Sequence, residues 1–187
     1  KGWKLNEYGL FKGKKQVAGR TEEDLYKALG LRYIEPEMRE NTGEIEASRA
    51  GKLPKDLVGY DDLKGDLQTQ TDWTDGANSI EEMAAAAKKQ GLEYICITDH
   101  TRSLAMTGGA DETKLEKQMI EIDRINAKRK SQIATILKGA EVNIMADGSL
   151  DISDKTLAKL DCVGVAVHSN FKMSKTEMTR RIIRAME

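Results

Sequence analysis

His100 and His168, the only histidines in this chain of 187 residues, each close an apolar run. Glu141 follows Gly139-Ala140 inside another apolar run, where an unpaired carboxylate is costly to bury. Asp75-Gly76 ends the stretch Gly65-Asp66-Leu67-Gln68-Thr69-Gln70-Thr71-Asp72-Trp73-Thr74-Asp75-Gly76. Gln68 and Gln70 alternate within it, so on a strand both side chains point to one face. Imidazole with carboxylate is a donor set for manganese or zinc. Two or three divalent ions in such a cluster would bridge and polarise a phosphate and lower the pKa of a bound water. The stretch reads as a metal-site strand from which two ligands are missing, with Gln68 and Gln70 in their places.

Taken one at a time these residues have ordinary readings. A histidine at a strand end is commonly just hydrogen-bonded, Glu141 could face a lysine, and Asp-Gly alone is a turn signal. Their recurrence at successive strand ends is what points to a site. Other motifs carry less. Asp147-Gly148-Ser149-Leu150-Asp151 lacks the alternating acids and central glycine of a calcium loop and reads as a turn. Gly108-Gly109 has no phosphate-loop lysine, and Ser103, Ser169 and Ser174 lack a nucleophile-elbow context. Cys96 and Cys162 read as buried thiols. Without a CxxC they suggest neither a zinc knuckle nor a disulfide scaffold, which fits a reducing, cytoplasmic compartment.

The elements that must position these residues fall into two zones. Residues 1–60 are short and punctuated. A strand over Leu5 to Phe11 and another over Gln16 to Ala18 flank the turn Lys12-Gly13-Lys14. Thr21 caps a helix with acids in its first turn that stops near Gly30, Pro36 opens a short helix, and Gly43 to Ala50 has helical composition. From residue 61 strands and helices alternate. Strands are expected at Leu63 to Gln70, Tyr94 to Thr98, within Ile133 to Ile144, and at Cys162 to Val167. Helices are expected at Ile80 to Gln90, Asp111 to Lys130, Asp154 to Leu160 and Ser174 to Met186, with Leu115, Met119, Ile122, Ile125 and Ile133 near helical spacing. Repeated βα units predict a parallel α/β sheet or barrel, with ligand chemistry at the C-terminal strand ends.

Charged residues make up 33% of the chain and the formal net charge is −1, which excludes a wholesale polyanion binder. Charge is uneven, however. Lys1, Lys4, Lys12, Lys14, Lys15 and Arg20 crowd the start, and Lys172, Lys175, Arg180, Arg181 and Arg184 the end, with Lys12-Lys14-Lys15 and Arg180-Arg181-Arg184 expected to attract phosphate. No apolar run is long enough for a membrane span and no signal peptide is visible. The chain opens on Lys1 and is expected to be a piece of a longer protein.

At this point the residues resemble a known family. Leu63 to Gly76, Tyr94 to Ser103, Lys138 to Asp151 and Leu160 to Ser169 are similar to the PHP (polymerase and histidinol phosphatase) domain. Lys4-Leu5-Asn6-Glu7-Tyr8-Gly9-Leu10-Phe11, Leu29-Gly30-Leu31 and Tyr33-Ile34-Glu35-Pro36-Glu37-Met38-Arg39-Glu40-Asn41 resemble the end of a polymerase-beta-like thumb. Together they look like the junction in bacterial and archaeal family X DNA polymerases. The resemblance implies an incomplete, distorted (β/α)7 PHP barrel over residues 61–187, preceded by a small α+β thumb segment and linker over residues 1–60.

It also implies a gap-filling DNA repair polymerase with a manganese- or zinc-dependent phosphoesterase or 3′–5′ exonuclease, acting on DNA gaps and 3′ ends. In the family pattern His-x-His stands at the places of Gln68 and Gln70, while Asp75, His100, Glu141 and His168 match later ligands, Glu141 in the bridging role. Further ligands, and the magnesium-binding polymerase site, are expected outside residues 1–187. The two glutamines imply an impaired metal site with little nuclease activity from this segment alone. A non-catalytic scaffold or DNA-binding domain is the main alternative, and a histidinol-phosphatase-like phosphoesterase a third. Self-association through open barrel edges is expected as well.

Overall fold

The computed structural model describes residues 2–128 and 134–187. Lys1, the expected helix end at Lys130 and the expected strand residue Ile133 lie outside the described residues. The chain divides into two compact units, Lys1–Val58 and Gly59–Glu187.

The first unit is an antiparallel sheet with two short helices. Strands β1 (Trp3–Asn6), β2 (Gly9–Lys12) and β3 (Lys15–Ala18) pair in sequence order. The single strand expected over Leu5 to Phe11 is therefore two strands of one hairpin. The Asn6 carboxamide oxygen accepts from the Tyr8 N–H at 3.1 Å, and Gly9 takes φ 133°, which side-chain-bearing residues rarely adopt. Helix α1 (Glu22–Ala28) starts at Thr21, whose hydroxyl accepts from the Asp24 N–H at 3.2 Å. Helix α2 (Glu44–Arg49) follows a single 3-10 turn at Pro36–Met38. Leu10, Ile34 and Leu53 are buried here. Arg39 clasps Glu22 with two guanidinium nitrogens at 2.8 and 3.2 Å and lies 5.5 Å from the ring centres of Tyr26 and Tyr33. That contact ties the Pro36 turn to α1.

The second unit is built of βα repeats. Strands β4 (Gly65–Thr69), β5 (Tyr94–Ile97), β6 (Thr135–Asn143) and β7 (Cys162–Ala166) form one parallel sheet in sequence order, curled as half of a barrel. Helices α3 (Ile80–Lys89), α4 (Glu112–Lys128), α5 (Asp154–Leu157) and α6 (Lys175–Met186) connect or follow them. Ser79 opens α3 and Ser174 opens α6 by the same device. Each hydroxyl accepts from the N–H three residues on, and Glu82 or Glu177 reaches back to the cap N–H.

The pleat then decides which side chains meet which partners. Ile95 and Ile97 of β5 and Ile136 of β6 point to the helical side, where Ile80 and Ala84 of α3 and Ile122 and Ile125 of α4 cover them. Ala140 and Val142 continue that face against Leu115, Met119 and Ile152. Each fully buried isoleucine contributes about 2 kcal/mol of hydrophobic stabilisation. The alternate residues of β6, Gly139, Glu141 and Asn143, face the opposite way. Gly139 is required there because the neighbouring strand packs against it: a Cβ would lie 2.5 Å from Cys96 Sγ and 2.8 Å from the Ile97 carbonyl oxygen. That face carries Cys96 and Leu137 lower down and turns polar at Glu141 and Asn143, toward the C-terminal rim where the histidines sit.

Candidate metal centre

Parallel register sets His100 beside Glu141. Ile97 pairs with Lys138, and the pairing runs on past the strand to a bridge between His100 and Glu141. Glu141 N–H donates to the Asp99 carbonyl and Thr101 N–H to the Glu141 carbonyl, both at 3.1 Å. His168 arrives from the adjacent strand, two residues beyond β7. Among the described residues, His100, Glu141 and His168 form a group whose ligand atoms all lie within 4.8 Å of one another. The two imidazoles stand edge to face, centroids 5.6 Å apart.

Glu141 is the hub of this group, and its two oxygens have different neighbours. Oε1 lies 3.2 Å from His168 Nε2. Oε2 lies 3.5 Å from His100 Nε2 and also accepts from Gln68 Nε2 at 2.9 Å and from Gln70 Nε2 at 3.2 Å. The alternation of the two glutamines therefore brings both onto one carboxylate oxygen. An ionised carboxylate only accepts, so each glutamine presents its amide N–H rather than its ligand oxygen.

Both histidines have the far nitrogen pinned. His100 Nδ1 lies 2.9 Å from Asp75 Oδ1, an acceptor, so Nδ1 carries the hydrogen. His168 Nδ1 lies 2.7 Å from Asn143 Oδ1. The Asn143 amide is oriented by Asp151, whose carboxylate accepts from Asn143 Nδ2 at 3.0 Å and from Asn143 N–H at 3.1 Å. The Asn143 oxygen is thereby turned to His168, and His168 Nδ1 donates to it. In both rings Nε2 is left facing Glu141. A second polar partner that fixes the tautomer and aims the other nitrogen is how metal-ligating histidines are held. The donor set fits a manganese- or zinc-type ion.

Asp75 stands apart from the converging three. It was expected as a ligand beside His100; here it sits on the Nδ1 side of the ring, in the orienting position. Its loop is tight. Thr74 and Gly76 N–H groups both donate to the Thr71 carbonyl, and a Cβ on Gly76 would lie 2.5 Å from the Gln70 carbonyl oxygen. Burial alone would raise the Asp75 carboxyl, but hydrogen bonds from His100 and Thr74 outweigh it and hold the group below the usual aspartate range.

Two buried carboxylates that sequence reasoning did not single out support the rim. Asp99 is fully buried and accepts from Thr71 N–H at 2.7 Å, Thr71 Oγ1 at 2.6 Å, Thr74 Oγ1 at 2.5 Å and Gln118 Nε2 at 2.6 Å. It anchors the loop that carries Asp75. Asp151 was read only as part of a turn, yet it also accepts from Thr101 Oγ1 at 2.7 Å and Ser103 N–H at 2.9 Å. The one sequence signal for Asp99 is its place at the end of an apolar run; Asp151 has none, since its donors come from distant elements.

Asp151 has a consequence for acid stability. Burial alone would raise its carboxyl, but hydrogen bonds from Thr101, Ser103 and Asn143 outweigh it and the pKa lies below the usual value. The unfolded chain therefore takes up this proton first as pH falls. The contribution is complete above the unfolded value of about 3.9 and is lost as pH drops through the lower folded value. Urea melts are expected to show Asp151→Asn about 1–3 kcal/mol less stable at neutral pH. They should also show a smaller further loss on acidification below about pH 4 than the wild type suffers. An equal acid loss in both proteins would rule out Asp151 as a source of it.

One expectation about charge is corrected here. Arg181, grouped from sequence with Arg180 and Arg184 as a phosphate-attracting run, is only 2% exposed. Its guanidinium is spent on main-chain carbonyls and cannot face a phosphate. Arg184 donates to the Asp147 carbonyl at 2.8 Å. Lys12, Lys14 and Lys15 are exposed, and no ion pair holds them among the described residues.

Comparison with known proteins follows the same division of the chain. Residues 1–40 match the DNA polymerase beta thumb family and residues 66–184 the PHP domain family. Over 166 residues the chain is 37% identical to the DNA polymerase/3′-5′ exonuclease PolX of Bacillus subtilis (strain 168), covering 89% of this chain and 28% of that protein. A probable phosphatase of Caldicellulosiruptor saccharolyticus is 34% identical over 92 residues, 49% of this chain and 35% of that protein. Another, of Syntrophotalea carbinolica, is 30% identical over 113 residues, 59% of this chain and 44% of that protein. The chain thus spans less than half the length of each of these relatives. Among its described residues no helix is long and apolar enough to cross a membrane.

Proposed function

The chain belongs to the PHP domain family and carries a DNA polymerase beta thumb segment at its start, and from that premise we propose that it is part of a gap-filling family X repair polymerase whose PHP domain trims phosphodiesters at DNA 3′ ends. The observation that carries this reading is the convergence of His100 Nε2, His168 Nε2 and the Glu141 carboxylate, with both Nδ1 atoms pinned from behind. His100, Glu141 and His168 would hold a manganese or zinc ion, and Asp75 would orient His100. Bound there, a divalent ion supplies Lewis-acid polarisation of the phosphoester and a water of lowered pKa. Glu141 would set how many ions the site takes. Its Oε1 is open to the His168 side, while its Oε2 is held by the Gln68 and Gln70 amides. Two neutral N–H donors stand where the family pattern has imidazole ligands, which supports an impaired site of reduced metal count.

The same two amides favour a second reading, a non-catalytic PHP domain that positions the polymerase or binds DNA. Small-molecule phosphoesterase activity, suggested by the phosphatase relatives, fits the thumb segment less well. Metal content measured after manganese or zinc loading, with a 3′-labelled oligonucleotide assay on the whole protein, separates these readings. Stoichiometric metal with 3′ trimming supports the nuclease, and absence of both leaves the scaffold. Gln68→His with Gln70→His is expected to raise metal affinity by at least about tenfold, because an imidazole nitrogen can ligate where the amide now only donates an N–H to Glu141. Unchanged affinity would show that these two positions are not ligand positions. DNA affinity should fall with salt, and neutralising Lys12, Lys14 and Lys15 should reduce the slope of log affinity against log salt by about 2. A slope that does not move would remove those lysines from the DNA surface.

A further inference from the structure

Arg181 lies in the middle of α6, buried, and no carboxylate pairs with it among the described residues. A charge so placed needs its whole donor fork satisfied, and here the partners are carbonyls of two rim segments. Nε donates to the Met145 carbonyl at 2.7 Å, and Nη2 to the Ile144 carbonyl in a very short contact. Nη1 donates to the Ser169 carbonyl at 2.8 Å and lies 3.8 Å from Met173 Sδ, while Nη2 reaches Ser169 Oγ at 3.4 Å.

Those two segments are the ones that set His168. Ile144 and Met145 directly follow Asn143, whose carboxamide oxygen accepts from His168 Nδ1. Ser169 directly follows His168. One planar guanidinium thus fixes the spacing between the end of β6 and the loop after β7, across the hydrogen bond that decides the His168 tautomer. We propose that Arg181 is a positioning residue of the metal centre, holding His168 with Nδ1 on Asn143 and Nε2 on Glu141. The proposal rests on the metal-site reading for its consequence, but its geometric content stands without metal. Lysine cannot substitute. A single ammonium on a flexible stem keeps the charge but cannot bridge both carbonyl groups in the fixed geometry of the fork.

The test uses the fact that the chain has just two histidines. Long-range proton–nitrogen NMR of uniformly labelled, metal-free protein, at a pH where the rings are neutral, reports each tautomer separately. His168 is expected as the Nδ1–H form in wild type and as a mixture of both tautomers in Arg181→Lys, with His100 unchanged in both. Zinc or manganese affinity, read by calorimetry, is expected to fall about tenfold in Arg181→Lys, the scale of losing an outer-shell partner of a ligand. Arg181→Met, which keeps the apolar stem and removes the charge, is expected to give the same two changes. A folded variant with wild-type tautomers would overturn the proposal. So would failure of both variants to fold, since Arg181 would then be a general structural residue. If wild type binds neither metal, the metal reading fails, while the tautomer comparison still decides the role of Arg181.

Discussion

Glu141→Gln is expected to cut divalent-metal affinity by about 100-fold or more while changing stability by less than about 1 kcal/mol. The two effects part company because of what surrounds the carboxylate. Gln68 and Gln70 both donate to Oε2, and a glutamine at 141 can present its carbonyl oxygen to the same two donors. Its amide nitrogen then faces His168 Nε2, where Oε1 stood 3.2 Å away. That nitrogen is a donor and satisfies the imidazole lone pair, so the packing survives. As an amide it is no metal ligand, and it occupies the ring nitrogen that the ion needs. Calorimetric metal titration alongside urea melts would read both quantities on one sample. Wild-type affinity in Glu141→Gln would place the metal elsewhere, and a large loss of stability would mean that Glu141 serves mainly to hold the fold.

For Asp99→Ala the balance is reversed, with an expected destabilisation of about 3–5 kcal/mol and little direct change in ligand identity. Asp99 touches none of the Nε2 atoms. It gathers four donors in a fully buried position: the Thr71 amide and hydroxyl, the Thr74 hydroxyl and the Gln118 carboxamide. Removing the acceptor leaves a backbone N–H and a side-chain amide buried without partners, each at about 1–3 kcal/mol. The total is a large part of a typical domain stability of about 5–15 kcal/mol. Since the Thr71–Gly76 loop carries Asp75, the His100 tautomer should loosen as well. Denaturant midpoints measure the first effect. A shift below about 1 kcal/mol would show that the donors find other partners when Asp99 is gone.

Much of the second unit was legible before any coordinates. The apolar runs at Tyr94–Ile97 and Cys162–Ala166 read as strands, and the helices expected from Ile80 and from Ser174 form within a residue of those positions. The first unit was less legible. Leu5 to Phe11 was read as one strand although Asn6 and Gly9 are both turn formers, and the Asn6 side chain and the positive φ of Gly9 are what fold it into a hairpin. Among the residues that converge at the rim, His100 and His168 were visible as polar ends of apolar runs and Glu141 as a carboxylate inside one. Asn143, Asp151 and Arg181 were not. Asn143 and Asp151 look like ordinary turn and strand-end residues, and Arg181 like one basic residue among three.

The sequence by itself determined which residue types were on offer: two imidazoles, a strand-borne glutamate, and two alternating glutamines at the head of a βα series. It also determined that they would share a rim, since parallel strands end on one side. Only the tertiary structure decided what each of them does. Register placed His100 beside Glu141, the inner pleat of β6 turned Glu141 toward both glutamines, and the hydrogen bonds on Nδ1 aimed each ring. Asp75 came to lie on the Nδ1 side of His100, outside the group formed by His100, Glu141 and His168, and Arg181 came to lie in the interior rather than at the surface. These outcomes depend on distances between segments dozens of residues apart, and hydrogen bonding is too short-ranged and directional to be settled by spacing along the chain.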